Sequence, residues 1–225
     1  MFDTMFPNHW STIRKLMWLK KITGGGSRIP TIYQEVEYVE SDGAAYIDSG
    51  IECTSDLAVE FKFYAGTDVN ASLCGGIDTR NPQVNFRHHA SPYSKNRYWI
   101  QNDNINVSSV YAGTTFDILN PHVWEIDPIS GKAKLDANTS TFTPLVSGLT
   151  TTKNYGIFAR IADTGAIQSR VSSIYYFKFY RNSALIGDFI PCYRKEDGVI
   201  GMYDTVTKSF FTNAGTGAFT KGPDV

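Results

Sequence analysis

The sequence predicts an all-β domain, a sandwich of two packed antiparallel sheets, preceded by a short N-terminal helical arm. Two observations carry the sandwich. Short runs with a two-residue hydrophobic period recur from Ile32 onward, separated by turn-forming pairs. No long helical period lies between them, which argues against alternating α/β construction. At 225 residues the chain suits one β-rich domain plus an appendage, because sandwiches often use about 200 residues around one core. With 42% hydrophobic and only 19% charged residues it lies far from disordered composition, so a packed core can form.

The arm comes first. Residues 11–22 read as a helix with Ile13, Leu16, Met17 and Lys20 near one face, and Trp10 extends the stripe at helical spacing. So short a helix is marginal alone, so its apolar side needs a partner. Gly24, Gly25, Gly26 and Ser27 supply a flexible joint. The parse is an anchoring arm and linker over 1–30 and a sandwich over 31–225. Trp10, Ile13, Leu16 and Met17, beside Arg14, Lys15, Lys20 and Lys21, form a stripe able to bury in a partner groove while its charges meet an acidic rim. Packing back across its own domain, lying on a membrane surface and trimerising with other arms remain open.

Strand candidates follow in order at 36–39, 44–47, 57–64, 72–76, 83–87, 97–101, 106–111, 122–126, 133–136, 156–159, 172–180 and 184–189. The clearest is 57–64, where Leu57, Val59, Phe61 and Phe63 alternate with Ala58, Glu60, Lys62 and Tyr64. Reversals are expected at Asp42-Gly43, Asn81-Pro82, Ser130-Gly131, Asn182-Ser183 and Asp197-Gly198. Asn182-Ser183 joins two strong strands and is the best hairpin signal. Pro121, Pro128 and Pro144 belong at strand ends or edges, where a missing N–H breaks no ladder. Phe61, Phe63, Ile174, Tyr176, Phe189 and Phe211 are the expected core, with Tyr175, Phe177 and Phe179 offering a rival face to Tyr176.

Residues 1–30 carry five cationic side chains against Asp3, a net +4 that leaves −5 on the body. A mildly acidic body without a basic stripe does not attract a polyanion, so no nucleic-acid binding is expected of it. Cys53, Cys74 and Cys192 lack CxxC spacing and read as buried thiols. His9, His88, His89 and His122 are poor metal candidates, the adjacent pair pointing to opposite strand faces. The N-terminus is no signal peptide, since charges interrupt every apolar run. No run approaches the ~18 apolar residues of a membrane span.

Asn102-Asp103-Asn104 and Asp163-Thr164-Gly165 offer oxygen ligands for calcium, but capping of turns is the commoner use of isolated Asx residues. No metal or cofactor is expected. There is no Gly-x-Ser-x-Gly elbow, and Gly215-Thr216-Gly217 is followed by nothing helical. Tyr93, Tyr98, Trp99 and Tyr111 form the candidate glycan platform in the polar middle, with core or edge packing as their other reading.

Ile190-Pro191-Cys192, Gly201-Met202-Tyr203-Asp204, Phe210-Phe211-Thr212-Asn213 and Gly215-Thr216-Gly217-Ala218-Phe219 closely resemble a module common in bacteriophage and prophage structural proteins. The module is similar to the concanavalin A-like lectin/glucanase group, near the laminin-G-like domains. Residues 36–43 (Val-Glu-Tyr-Val-Glu-Ser-Asp-Gly) and 45–50 (Ala-Tyr-Ile-Asp-Ser-Gly) support the match at the other end. Residues 65–170 match only as a sandwich-like middle.

The resemblance implies a jelly roll and a virion setting, with structural roles for Tyr46, Asp48, Pro191, Tyr203, Asp204, Asn213, Gly215, Gly217 and Phe219. It brings no shared catalytic triad. In the related β-glucanases the strand pattern is Glu-x-Asp-x-x-Glu or one residue shorter; here Glu125 and Asp127 fit, but Ile129 and Ser130 stand where the second glutamate belongs. The expectation is a non-enzymatic virion protein assembled in the host cytoplasm and shown on capsid, head fibre or tail. It would contact other virion proteins through its arm and host glycans through its body, as a homo-oligomer, a trimer or a multicopy component. A stand-alone carbohydrate-binding module and a glycoside hydrolase are the alternatives.

Overall fold

Leu57, Val59, Phe61 and Phe63 are all buried, so the clearest alternation in the sequence does face a core. The computed structural model describes the backbone of residues 27–65, 71–77, 83–89, 95–102, 105–112, 120–142, 150–162, 168–169 and 171–225, and the side chains of 27–65, 73–76, 120–142, 151–162 and 172–225. The arm, with Trp10, Ile13, Arg14, Leu16, Met17, Lys20 and Lys21, lies outside the described residues. Pro144 and Asn81-Pro82 lie outside them too.

The described strands begin with β1 (Tyr33–Glu35), β2 (Val39–Asp42), β3 (Ile47–Thr54), β4 (Ala58–Tyr64), β5 (Ala71–Ile77), β6 (Gln83–His89), β7 (Lys95–Asn102) and β8 (Ile105–Ala112). Then come β9 (His122–Asp127), β10 (Lys132–Leu135), β11 (Asn138–Thr141), β12 (Thr150–Ile157), β13 (Ala159–Ala162) and β14 (Gln168–Ser169). The C-terminal third adds β15 (Val171–Arg181), β16 (Ala184–Arg194), β17 (Ile200–Asp204), β18 (Ser209–Thr212) and β19 (Phe219–Lys221).

They form two sheets. The larger runs β11-β10-β9-β4-β15-β16-β17-β18; β2 joins β15 and carries β19, while β1 lies along β16. The smaller runs β14-β13-β5-β6-β7-β8, with β12 linking β5 to β3. Pairing is antiparallel except between β13 and β5. An early and a late segment of the described residues therefore meet in one sheet, with β2 beside β19.

One core lies between the layers. Phe61 and Phe177, on paired strands, stack with centroids 4.7 Å apart, and Tyr155 of the smaller sheet meets Phe179 of the larger at 5.2 Å. Burying each such ring contributes roughly 1.5–3 kcal/mol. A second, small cluster lies on the outer side of the larger sheet, where Ile29 covers Ile190, Cys192 and Tyr203. All three cysteines are buried and form no disulfide.

Asn182 and Ser183, at φ 49° and 64°, make the tight turn between β15 and β16 that the sequence predicts. Pro121 and Pro128 flank β9. Elsewhere local geometry overrides period two. The run at 44–47 stays outside a strand until Ile47, because the Asp42 carboxylate binds the N–H groups of Ala44 and Ala45 at 2.8 and 3.0 Å. The run at 36–39 is divided, with Val36 bridging Asp224 and β2 starting at Val39. Asp136 leaves β10 at φ 52°, and Phe158 at φ 75° separates β12 from β13.

The instructive correction is Tyr176, which is not in the core. The β15/β4 ladder shifts register between Ile174 and Tyr176, an added residue that inverts strand parity. Ile174, Phe177 and Phe179 all reach the core, and Tyr175 and Tyr176 are left half-buried on the other side. Phe61, Phe63, Ile174 and Phe189 are buried as expected; Phe211 packs against the core while partly exposed.

Candidate functional site

The bulge in β15 builds the most chemically distinctive surface among the described residues. Two consecutive tyrosines face outward from the larger sheet and divide it into two neighbourhoods. Tyr175 meets the Tyr38 ring at 5.3 Å, and the Lys62 ammonium sits 4.4 Å from the Tyr175 ring centroid. Burial, then the Glu37 carboxylate, pushes the Tyr175 phenol above its ordinary value, with Tyr38, Tyr64 and Glu40 also contributing. Glu40 is held by the Ser173 hydroxyl at 2.9 Å and the Thr220 hydroxyl at 3.5 Å.

Tyr176 turns the other way and donates its hydroxyl to Glu60 Oε1 at 2.8 Å. Glu60 belongs to a charged row that crosses the sheet in register: Lys134 opposite Glu125, Glu125 opposite Glu60, Glu60 opposite Lys178, Lys178 opposite Asp188. The opposite charges of Lys134 and Glu125, Glu60 and Lys178, and Lys178 and Asp188 stabilise that register against the like-charged Glu125 and Glu60. Glu60 and Lys178 are only 4% and 7% exposed, so their charges must be matched locally. Lys178 Nζ lies 3.7 Å from Glu60 Oε1 and 5.0 Å from the Tyr176 ring centroid. Burial raises the Tyr180 phenol far above its ordinary value, helped by Glu60, Asp188 and Glu125, so it stays a neutral hydroxyl.

The side chains of the expected glycan platform lie outside the described residues. Tyr93 lies outside them, and of Tyr98, Trp99 and Tyr111 only the backbone is described. In β7 and β8, Trp99 opposes Ser109 and Arg97 opposes Tyr111, two positions along, whereas Tyr98 opposes Val110 in the alternate set. The tyrosine face of the larger sheet was missed. Its signal was the Tyr175-Tyr176 doublet, which breaks the alternation of an otherwise regular strand.

The acid pair has other occupations. Glu125 accepts from Lys134 Nζ at 3.0 Å, and Asp127 caps a turn through the N–H groups of Ile129 and Ser130 at 3.1 and 3.2 Å. His122 Nδ1 lies 2.6 Å from Asp136 Oδ2, whose other oxygen accepts from the Val123 N–H. Among the described residues no group of three or more His, Cys, Asp or Glu side chains converges as a metal site. Asp103, Asn104, Asp163, Thr164 and Gly165 lie outside them.

The signature residues of the C-terminal third close the sandwich. Asn213 Oδ1 accepts from the Tyr46 and Gly215 N–H groups at 3.1 and 2.7 Å, and its amide donates to the Gly217 carbonyl at 2.7 Å. Asp42 Oδ2 accepts from the Ala218 N–H at 2.7 Å. A Cβ on Gly215 would fall 2.1 Å from the Ala44 carbonyl oxygen, so only glycine fits this approach. Buried Asp204 is satisfied by the N–H groups of Asp188, Val206 and Thr207 and by the Thr207 hydroxyl. An open depression of about 370 Å³ lies between Gly198, Ile200, Thr212, Asn213 and Phe219.

No family model matches the sequence, and no curated protein matches it. Solved structures do match the fold. One is the native heptameric SAP-like pentraxin from Limulus polyphemus, 6% identical, aligned over 83% of this chain and 95% of that one with a TM-score of 0.53. At that identity the likeness concerns architecture alone: the chain folds as a jelly roll of the concanavalin A-like, laminin-G-like kind.

Proposed function

We propose that this is a non-enzymatic bacteriophage virion structural protein, displayed on capsid, head fibre or tail through its N-terminal arm, whose sandwich contacts host-surface glycans. The reading is carried by the resemblance of both ends of the chain to phage structural modules. Two features of the fold support it. The residues of that resemblance, Asp42, Asn213, Gly215 and Gly217 among them, are engaged in latching the two ends together. Glu125 and Asp127, the acids best placed by sequence for hydrolysis, are engaged by Lys134 and by a turn.

The test is the protein content of detergent-washed particles of the encoding phage. The expected result is the intact chain in stoichiometric copies, and loss of incorporation with a soluble, folded body when residues 1–23 are deleted. Absence of the wild-type chain from washed particles would overturn the virion reading. Unchanged incorporation of the deletion would overturn the role of the arm. A second reading, a stand-alone carbohydrate-binding module, is favoured by the tyrosine face of the larger sheet; it predicts glycan binding by the chain without any particle.

A further inference from the structure

We propose that the tyrosine face around Tyr175 is a binding platform for an uncharged glycan. The inference rests on the glycan-contacting part of the function proposed above and gives that contact an address. Its first support is the bulge. β15 spends one additional residue opposite β4 at this point, which turns Tyr175 and Tyr176 outward together. Bulges recur where a strand must re-aim a side chain for recognition.

The second support is the chemistry gathered there. A pyranose presents an apolar C–H face and a rim of hydroxyls. The half-buried rings of Tyr38, Tyr64 and Tyr175 offer apolar surface for the former, while the phenol groups, Glu37 and Glu40 offer hydrogen bonds to the latter. The platform is fixed in advance. Tyr38 and Tyr175 brace each other at 5.3 Å, Lys62 holds the Tyr175 ring, and Ser173 and Thr220 hold Glu40. Gly222 lets the chain pass close beside Tyr38, since a Cβ there would fall 2.7 Å from that ring. Little ordering is then left to oppose binding.

Charge selects the ligand class. Lys62 is already engaged over an aromatic ring, and Glu37 and Glu40 stand beside it. One ammonium against two carboxylates does not draw a polyanion, so phosphate-rich or uronate-rich polymers are disfavoured relative to neutral sugars.

The experiment titrates the full chain with cellohexaose, maltohexaose and chitohexaose, read by calorimetry and by NMR of labelled tyrosine rings. At least one sugar should bind saturably and move the Tyr38, Tyr64 and Tyr175 signals. Tyr175→Ala should weaken that binding about tenfold or more, while Tyr175→Phe, which keeps the ring, should stay within about threefold. Binding by none of the three sugars overturns the proposal; so does binding that leaves the three ring signals unmoved or survives both Tyr175→Ala and Tyr38→Ala. Should the alanine variants misfold, the wild-type ring shifts decide. Particle content is a separate readout: a chain present in virions that binds no sugar sinks the platform alone, and a sugar-binding chain absent from virions sinks the virion reading alone.

Discussion

The Asp42 carboxylate accepts the N–H of Ala218 at 2.7 Å, across 176 residues of sequence, while its other oxygen caps Ala44 and Ala45. These bonds, Ala44 first and Ala218 next, hold its pKa below the ordinary carboxylate value. A carboxylate depressed on folding contributes stability above its unfolded value, about pH 3.9, and loses it as pH falls through the folded value. Asp42 is exposed, so solvent limits the contribution to about 1 kcal/mol. Denaturant melts between about pH 4 and pH 2 should therefore fall more steeply for the wild type than for Asp42→Asn. At pH 7, Asp42→Ala should lower Tm by about 2–4 °C.

Gly215 and Gly198 should respond differently to the same methyl group. A Cβ at Gly215 meets the Ala44 carbonyl at 2.1 Å, so Gly215→Ala must push the segment around Gly215 away from Ala44. The expected loss is about 3 kcal/mol. At Gly198 the space is open and only φ +71° resists, which costs about 1–2 kcal/mol. Urea unfolding of the two variants reads the difference.

The bulge predicts which neighbour in β15 carries the core. Phe177, stacked on Phe61 at 4.7 Å, should cost about 3–5 kcal/mol on substitution by Ala. Tyr176→Phe removes only the hydroxyl bonded to Glu60 and should cost about 1–2 kcal/mol. A loss from Tyr176→Phe as large as that from Phe177→Ala would contradict this division between a core ring and an outward hydroxyl.

How much of this was legible in the sequence depends on what kind of constraint set each residue. Period two found β4 because every alternate residue there is apolar and faces one core. It failed at Tyr176 because a bulge changes parity without changing composition. It failed at 44–47 because the Asp42 carboxylate takes the N–H groups that a ladder would use. The Asn182-Ser183 turn was legible because its geometry depends on two adjacent residues. The tyrosine face was not, because Tyr38, Tyr64 and Tyr175 are brought together only by strand pairing between distant segments.

The buried pair of Glu60 and Lys178 yields the sharpest energetic prediction. Both side chains are almost fully enclosed, and the ammonium lies 3.7 Å from the carboxylate. Taking both charges out of water costs several kcal/mol, which their attraction offsets only while both are present. Lys178→Met should therefore destabilise by about 3–5 kcal/mol, because it leaves the Glu60 charge enclosed without its ammonium. Glu60→Leu should cost a similar amount and also strip the Tyr176 hydroxyl of its acceptor. Combining the two substitutions replaces the pair by apolar side chains and should recover most of the loss. The double variant is expected to be clearly more stable than either single one by denaturant unfolding. A double variant whose loss equals the sum of the single losses would show that the two charges do not act as a pair.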